Sequence, residues 1–454
     1  MSQAGSFQFD KDSLGLLRES LERMEQGFAG LPAHDPPHVD QAAMRKVLLE
    51  VAGRMHDNYP YFHPQYAGQM LKPPHPVARL AYSLAMYINP NNHALDGGRA
   101  SSQMEKEAVD EIARMFGWKS HLGHLTSGGT MANLEALWIT GQLRPDGVIL
   151  ASDQAHYTHN RISGVLKLPF ESVPTDRHAR LDLNALEDRL KRGDVGTVVA
   201  TLGTTATGSV DPLPGILTLR DRYGFRLHAD CAYGGYYILA SNLAPPARAA
   251  FDRLSDVDSI VIDPHKHGLQ PYGCGCVLFR DPEVGKFYKH DSPYTYFSSK
   301  ELHLGEISLE CSRAGAAAVA LWATQRLFPL VCGGEFAGML DDCRAAALKL
   351  HEDLTRNERF VPAFPPELDI VVWAISAETN SRSSELAQRL FAESAGKNLH
   401  LALAELPARF FRADSDSKGS KATVACLRSV VMKPGPTSFD ALTSARPGRP
   451  SAAV

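Results

Sequence analysis

Ser259-Ile-Val-Ile-Asp263-Pro-His265-Lys266-His267-Gly268 places a short apolar strand directly before a lysine flanked by two histidines and followed by a glycine. The run SIVID (259–263) is short, rich in β-branched residues and closed by proline, as a buried strand should be. Neighbouring cations and burial at the strand's end would lower the lysine's proton affinity. The amine then becomes nucleophilic and able to form Schiff bases. For this segment alone, a surface lysine after a strand is an equally good reading.

Working outward from Lys266, the stretch from about 104 to 280 alternates between two textures. Short β-rich runs occur at GVIL (147–150), TVVATLG (197–203), RLHAD (226–230) and CGCVLF (274–279). Helical patterns fall at Met104–Phe116, after the turn Ser127–Thr130 (Met131, Leu134, Trp138), and near Leu213–Tyr223. Apolar strands alternating with helices predict an α/β fold, a mostly parallel sheet covered by helices on both faces. Ligands of such sheets bind beyond the carboxyl ends of the strands.

The flanks differ in texture. Residues 13–28 carry one apolar stripe, Leu14, Leu17, Leu21, Met24 and Phe28, and predict a helix. That helix either lies on its own domain or forms an arm against a second subunit. Residues 30–38 are a breaker-rich linker, and 56–76 mix proline, histidine and aromatics as site-lining loops do. Beyond about 335, DIVVWAIS (369–376), SSELAQRLFAESA (383–395) and TVACLRSVVM (423–432) suggest a smaller α+β domain, with a polar turn at 412–421. The expected organisation is an N-terminal helical arm (1–60), a large domain (61–335), a small C-terminal domain (336–432) and a disordered tail (433–454).

Two further segments carry chemistry. In Leu227-His228-Ala229-Asp230-Cys231-Ala232-Tyr233-Gly234-Gly235 an acid ends a β-run. Such a carboxylate can pair with a protonated ring nitrogen, and the small residues after it leave room for a flat ring; an Asp capping a turn is the plainer alternative. In His124-Leu-Thr-Ser127-Gly128-Gly129-Thr130 small and hydroxyl residues open a helix, where free N–H groups make a phosphate cradle or simply a capped turn. Neither a Walker loop nor a dinucleotide fingerprint is present. The order of cradle, acid and lysine in one α/β region is more informative than any one of them.

The composition excludes several other classes. The 454 residues are about three domain-lengths at ~150 each. Hydrophobic residues at 44% and charged residues at 22% are ordinary for a globular protein. A net charge of −4 without a basic stripe suggests neither nucleic acid nor an anionic membrane as partner. Seven cysteines, an odd number with no C-x-x-C, are expected to be reduced thiols; Cys274 and Cys276 would share one strand face as buried packing groups. No spanning apolar run and no signal peptide are read from the sequence, so a cytoplasmic location is expected. The pairs His156/His159 and His265/His267 lack a supporting Cys or Glu constellation, so no metal is expected.

Taken together, HLTSGGTMANLEALW (124–138), SDQAH (152–156), VVATLGTTATGSVDPL (198–213), RLHADCAYGG (226–235) and DPHKHG (263–268) resemble the group II pyridoxal-phosphate-dependent amino acid decarboxylases. SRAGAAAVALW (312–322) matches more loosely, and the likeness thins beyond about 330. This resemblance implies fold type I, pyridoxal 5'-phosphate as cofactor, a homodimer, and conversion of an L-amino acid to its amine and CO₂. It implies that Lys266 holds the cofactor, Asp230 faces its pyridine nitrogen, His156 stacks on the ring and Ala232 packs beneath it. Gly128, Gly129, Thr130 and His265 match phosphate-side positions, and Thr204 a threonine on the reacting side. Tyr294 and Tyr296 are both candidates for the proton donor to Cα. Arg428 matches an arginine that contacts substrate carboxylate in relatives, and Tyr61 and Phe62 are candidates for shaping the pocket.

Two departures bear on the substrate. Asp263 stands where many amine-forming relatives have asparagine near the phosphate, so it should point away, be protonated or mark another subfamily. Lys433-Pro434 replaces an Asn-Pro. The rivals are a carbon–carbon lyase of the sphingosine-phosphate lyase type, an aminotransferase, and a non-catalytic relative kept for binding. The presence of Lys266, Asp230 and His156 weighs against the last.

Overall fold

The computed structural model describes residues 9–33, 35, 38–289, 303–411 and 422–433. Two helices, α1 (Leu14–Gly27) and α2 (Gln41–Met55), precede α3 (Pro76–Met86) and α4 (Arg99–Met115). The alternating region follows as β1 (Leu122–Thr126), α5 (Gly129–Leu143), β2 (Val148–Ser152), α6 (Thr158–Leu166), β3 (Phe170–Val173), α7 (Leu183–Leu190), β4 (Val195–Thr201), α8 (Leu213–Tyr223), β5 (Arg226–Asp230), α9 (Pro245–Phe251), β6 (Ser259–Ile262) and β7 (Gly275–Phe279). The chain continues as α10 (Ala316–Leu327), α11 (Glu335–Thr355), β8 (Phe360–Pro362), β9 (Ile370–Ile375), α12 (Asn380–Ala395), β10 (Ala402–Pro407) and β11 (Thr423–Val430).

Seven strands form one sheet in the order β1-β7-β6-β5-β4-β2-β3. β3, β2, β4, β5 and β6 pair in parallel, while β7 runs antiparallel to both of its neighbours. The expected doubly covered, mostly parallel sheet is therefore present. Every residue of β2, β6 and β7 is buried, which explains their continuous apolar runs. Cys274 and Cys276 are among the buried residues. The smaller antiparallel sheet, β10-β11-β9-β8, packs against α11 and α12 and forms the α+β part expected beyond residue 335.

Local chemistry sets where the helices around the sheet start and stop. Pro76 opens α3 and His75 Nδ1 accepts the Val77 N–H at 3.2 Å, so proline's missing donor costs nothing there. Asp182 caps α7 through the N–H groups of Asn184 and Ala185, and α8 ends at Gly224 with φ of +73°. α5 has no side-chain cap. Gly128 before it takes φ of +153°, a backbone state close to glycine-only, and leaves the first N–H groups of α5 facing open space rather than a cap.

The two N-terminal helices differ. Leu17, Leu21 and Met24 are half-buried where α1 packs on α3. α2 buries nothing, and its stripe Met44, Leu48, Val51 and Met55 stays 42–61% exposed. At the other end, Lys433, expected to open a disordered tail, is held: its Nζ donates to the Leu71 carbonyl at 2.5 Å and lies 5.3 Å from the Tyr66 ring centre. The rest of that tail lies outside the described residues.

Candidate active site

The carboxyl ends of β1, β2, β4, β5 and β6 meet around a cavity of about 310 Å³. Each of these strands ends on a residue or turn that faces it, as open α/β sheets position their ligand sites. Gly128, Gly129 and Thr130 border it from the start of α5, His156 from the turn after β2, Asp230 and Ala232 from the end of β5, and His265 and Lys266 from the turn after β6.

Asp230 is 4% exposed. Its Oδ1 accepts the Ala232 N–H at 3.0 Å, and its Oδ2 lies 2.8 Å from Nε2 of His159. Burial works to raise its carboxyl. The hydrogen bond and charge of His159, the Ala232 N–H and the Lys266 ammonium outweigh burial and hold it well below the usual range. Asp230 is thus an anion at the edge of a cavity, able to accept one more proton donor.

Lys266 Nζ lies 3.1 Å from Oδ2 of Asp263, three residues earlier in the same turn. Asp263 does not point away. It lines the cavity, its Oδ1 is buried without a partner among the described residues, and a Cβ built on Gly129 would stand 2.6 Å from its Oδ2. A side chain at 129 would therefore displace this carboxylate. His265 donates from Nδ1 to the Cys274 carbonyl at 2.8 Å and packs on Tyr272 with ring centres 4.6 Å apart; burial lowers its pKa. Its Nε2 lies 3.6 Å from Oδ2 of Asp263. His156 bonds Thr158 Oγ1 at 2.7 Å, and burial lowers its pKa too, which favours a neutral imidazole suited to stacking.

Other candidates lie elsewhere. Thr204 is fully buried in its own turn, 2.7 Å from Thr207 Oγ1, and accepts the Ser209 N–H; Thr205 borders the cavity instead. A one-residue offset in a tight turn reverses the side that a side chain faces. Arg428 is 6% exposed on β11 and its Nη1 donates to the Gly68 carbonyl at 3.0 Å, away from the cavity. Tyr61 packs on Tyr66 and Phe62 on Phe9, with centres 5.0 and 5.2 Å apart, and neither borders the cavity. Tyr294 and Tyr296 lie outside the described residues.

His159 was not read from the sequence as an Asp230 partner. Its i, i+3 spacing from His156 suggested only a metal pair, but the two rings diverge to Thr158 and Asp230. Nothing local in the sequence signals the contact, because 71 residues separate the partners.

A buried anion, a lysine amine and the N-terminal turn of α5 thus border one cavity. The comparisons agree. Residues 42–376 match the pyridoxal-dependent decarboxylase conserved domain. An L-tyrosine decarboxylase from Enterococcus faecium is 27% identical over 77% of this chain and 76% of that protein. An L-aspartate decarboxylase from Thermococcus kodakarensis is 29% identical over 62% of this chain and 72% of that one. Among solved structures, mouse CSAD superposes with a TM-score of 0.77 at 21% identity, over 97% of this chain and 91% of that one. Oryza sativa TDC with PLP and tryptamine superposes at 0.77 and 17% identity, over 96% of each chain. The fold is that of the pyridoxal-phosphate enzymes of type I. The chain belongs to the pyridoxal-dependent decarboxylase family and is a carboxy-lyase that uses pyridoxal phosphate. The named relatives do not favour the sphingosine-phosphate lyase reading.

The position of Asp263 yields a test. Its charge faces the same cavity as the α5 N–H groups and also holds the Lys266 ammonium. Asp263→Asn should tighten pyridoxal phosphate binding several-fold in an absorbance titration, by removing like-charge repulsion. Weaker binding would mean that the carboxylate supports the cofactor instead.

Proposed function

We propose that this enzyme converts an L-amino acid to its amine, RCH(NH₃⁺)COO⁻ + H⁺ → RCH₂NH₃⁺ + CO₂, with Lys266, Asp230 and His156 as its central residues. The observation that carries the reading is the convergence of the Lys266 amine and the ionised, buried Asp230 on one cavity of about 310 Å³. Bound there, pyridoxal phosphate supplies an aromatic ring that draws electron density from Cα as the carboxylate leaves.

The chain's own residues do the rest. Asp230 holds a proton on the ring nitrogen through a charge-assisted hydrogen bond. Lys266 carries the cofactor. Gly128, Gly129 and Thr130 offer backbone N–H groups to its phosphate, with His265 beside them. His156 and Ala232, both bordering the cavity, would hold the ring between them and so orient the bond that breaks. Thr205 takes the reacting-side position expected of Thr204. The proton delivered to Cα falls to Tyr294 or Tyr296.

We also propose a homodimer in the cytoplasm. The exposed stripe Met44, Leu48, Val51 and Met55 of α2 is the kind of surface a second copy covers. All seven cysteines are unpaired, as in a reducing compartment. Among the described residues no helix is long and apolar enough to cross a membrane.

The test of the reaction is incubation with pyridoxal phosphate and a panel of L-amino acids that includes tyrosine, aspartate and 2,4-diaminobutyrate, read by mass spectrometry. One amine should appear with CO₂, and Lys266→Ala should abolish it. A cofactor-bound protein that releases no amine from any of them would contradict the reading. For the assembly, sedimentation should give twice the 49.5 kDa chain mass, and Leu48→Glu with Val51→Glu should shift it to the monomer. A wild-type monomer would refute the dimer.

A further inference from the structure

Three histidines stand near Asp230, and the fold uses each differently. His156 borders the cavity. His228, two residues before Asp230 on β5, lies 2.8 Å from both Asn133 Oδ1 and Ser259 Oγ, and burial pushes its pKa down to about 3. Both its nitrogens are satisfied inside the fold, so it is a neutral wedge between α5 and the sheet. His159 is different. It sits in the first turn of α6 with no exposed surface, and the one hydrogen bond of its ring among the described residues runs from Nε2 to Oδ2 of Asp230 at 2.8 Å. Its Nδ1 is buried and has no partner there. It does not border the cavity.

A fully buried imidazole with one nitrogen left unsatisfied is costly to keep. An apolar side chain of similar volume would fill the space without that cost. The contact with Asp230 is the only compensation in view. Asp230 has two donors among the described residues, the Ala232 N–H on Oδ1 and His159 on Oδ2. The backbone donor alone leaves the carboxylate free to swing about its χ2 bond, a broad torsion. The second donor, from a different helix, fixes the plane of the carboxylate and therefore the direction of the lone pair left for the cavity.

We propose that His159 is the positioning residue of this active site: from behind Asp230 it orients the carboxylate that meets the pyridine nitrogen of the cofactor. The inference rests on the reading of Asp230 given above. It assigns His159 no contact with cofactor or substrate. Because it donates to the carboxylate, it also keeps Asp230 a weak base, so that the shared proton stays on the ring nitrogen. The spacing His156-x-x-His159 thus places two imidazoles in one turn, one against the ring and one behind its counter-ion.

The test uses the holoenzyme and reads the visible band of the bound cofactor and its dissociation constant, alongside kcat and KM. Loss of a hydrogen bond to a charged group is expected to raise the dissociation constant ~10-fold or more in His159→Leu. The band should change shape and kcat should fall more than KM rises. His159→Gln places an amide N–H near the former Nε2 and should restore affinity and band to within about threefold. His159→Asn keeps an amide in the same space but falls short of Asp230, and should behave like the leucine variant. That contrast holds even where the leucine variant folds poorly. In an Asp230→Asn background, His159→Leu should have no further effect on the band or the affinity, because coupled residues are not additive. Leucine and asparagine variants with the wild-type band and affinity would overturn the proposal, as would an equal loss in the Asp230→Asn background. A wild-type protein that shows no visible band with cofactor would instead remove the reading of Asp230 itself.

Discussion

A negative charge held at the buried carboxyl end of β5 is the constraint on which the rest of this molecule depends. An ionised carboxylate inside a sheet is expensive unless donors surround it. The donors of Asp230 come from its own turn and from the first turn of α6, and an ammonium stands nearby on the turn after β6. Those elements must therefore be in register before the acid can be buried. The parallel order β2-β4-β5-β6 brings their carboxyl ends to one edge. The charge that is costly for the fold stands at the border of the cavity, where the proposed function uses it to hold a proton on the ring nitrogen of the cofactor.

The second charge in the cavity works against the first. Asp263 adds an anion where a phosphate group is expected, and it holds the Lys266 ammonium at 3.1 Å. Before the cofactor enters, the two acids and the lysine partly neutralise one another. A carboxylate without a second partner on Oδ1, beside a glycine that leaves it room, is an arrangement waiting for a donor.

The central strands were legible because burial on both faces leaves an unbroken apolar run; β4 to β7 were placed within about two residues. The strands missed in the sequence are those with a different surface. β1 (LGHLT) hides a fully buried histidine, and its pairing with Glu135 at 2.9 Å on α5 cannot be seen locally. β3 is largely exposed, β8 has three residues, and β10 alternates in burial beside exposed positions. Motif order picked out Gly128–Thr130, Asp230 and Lys266, and the fold brings them to one cavity. Thr204 stands one residue from the threonine that borders the cavity, and Arg428, read as a substrate contact, donates from Nη1 to the Gly68 carbonyl. His159 escaped because its partner is remote in sequence.

The central claim, that Lys266 carries pyridoxal phosphate beside Asp230, is tested most directly by reducing the holoenzyme with borohydride, digesting it and mapping the phosphopyridoxyl group by mass spectrometry. The account predicts the label on the peptide containing Lys266 and on no other lysine. An unmodified Lys266, with the label on another lysine such as Lys72 or Lys433, would contradict it.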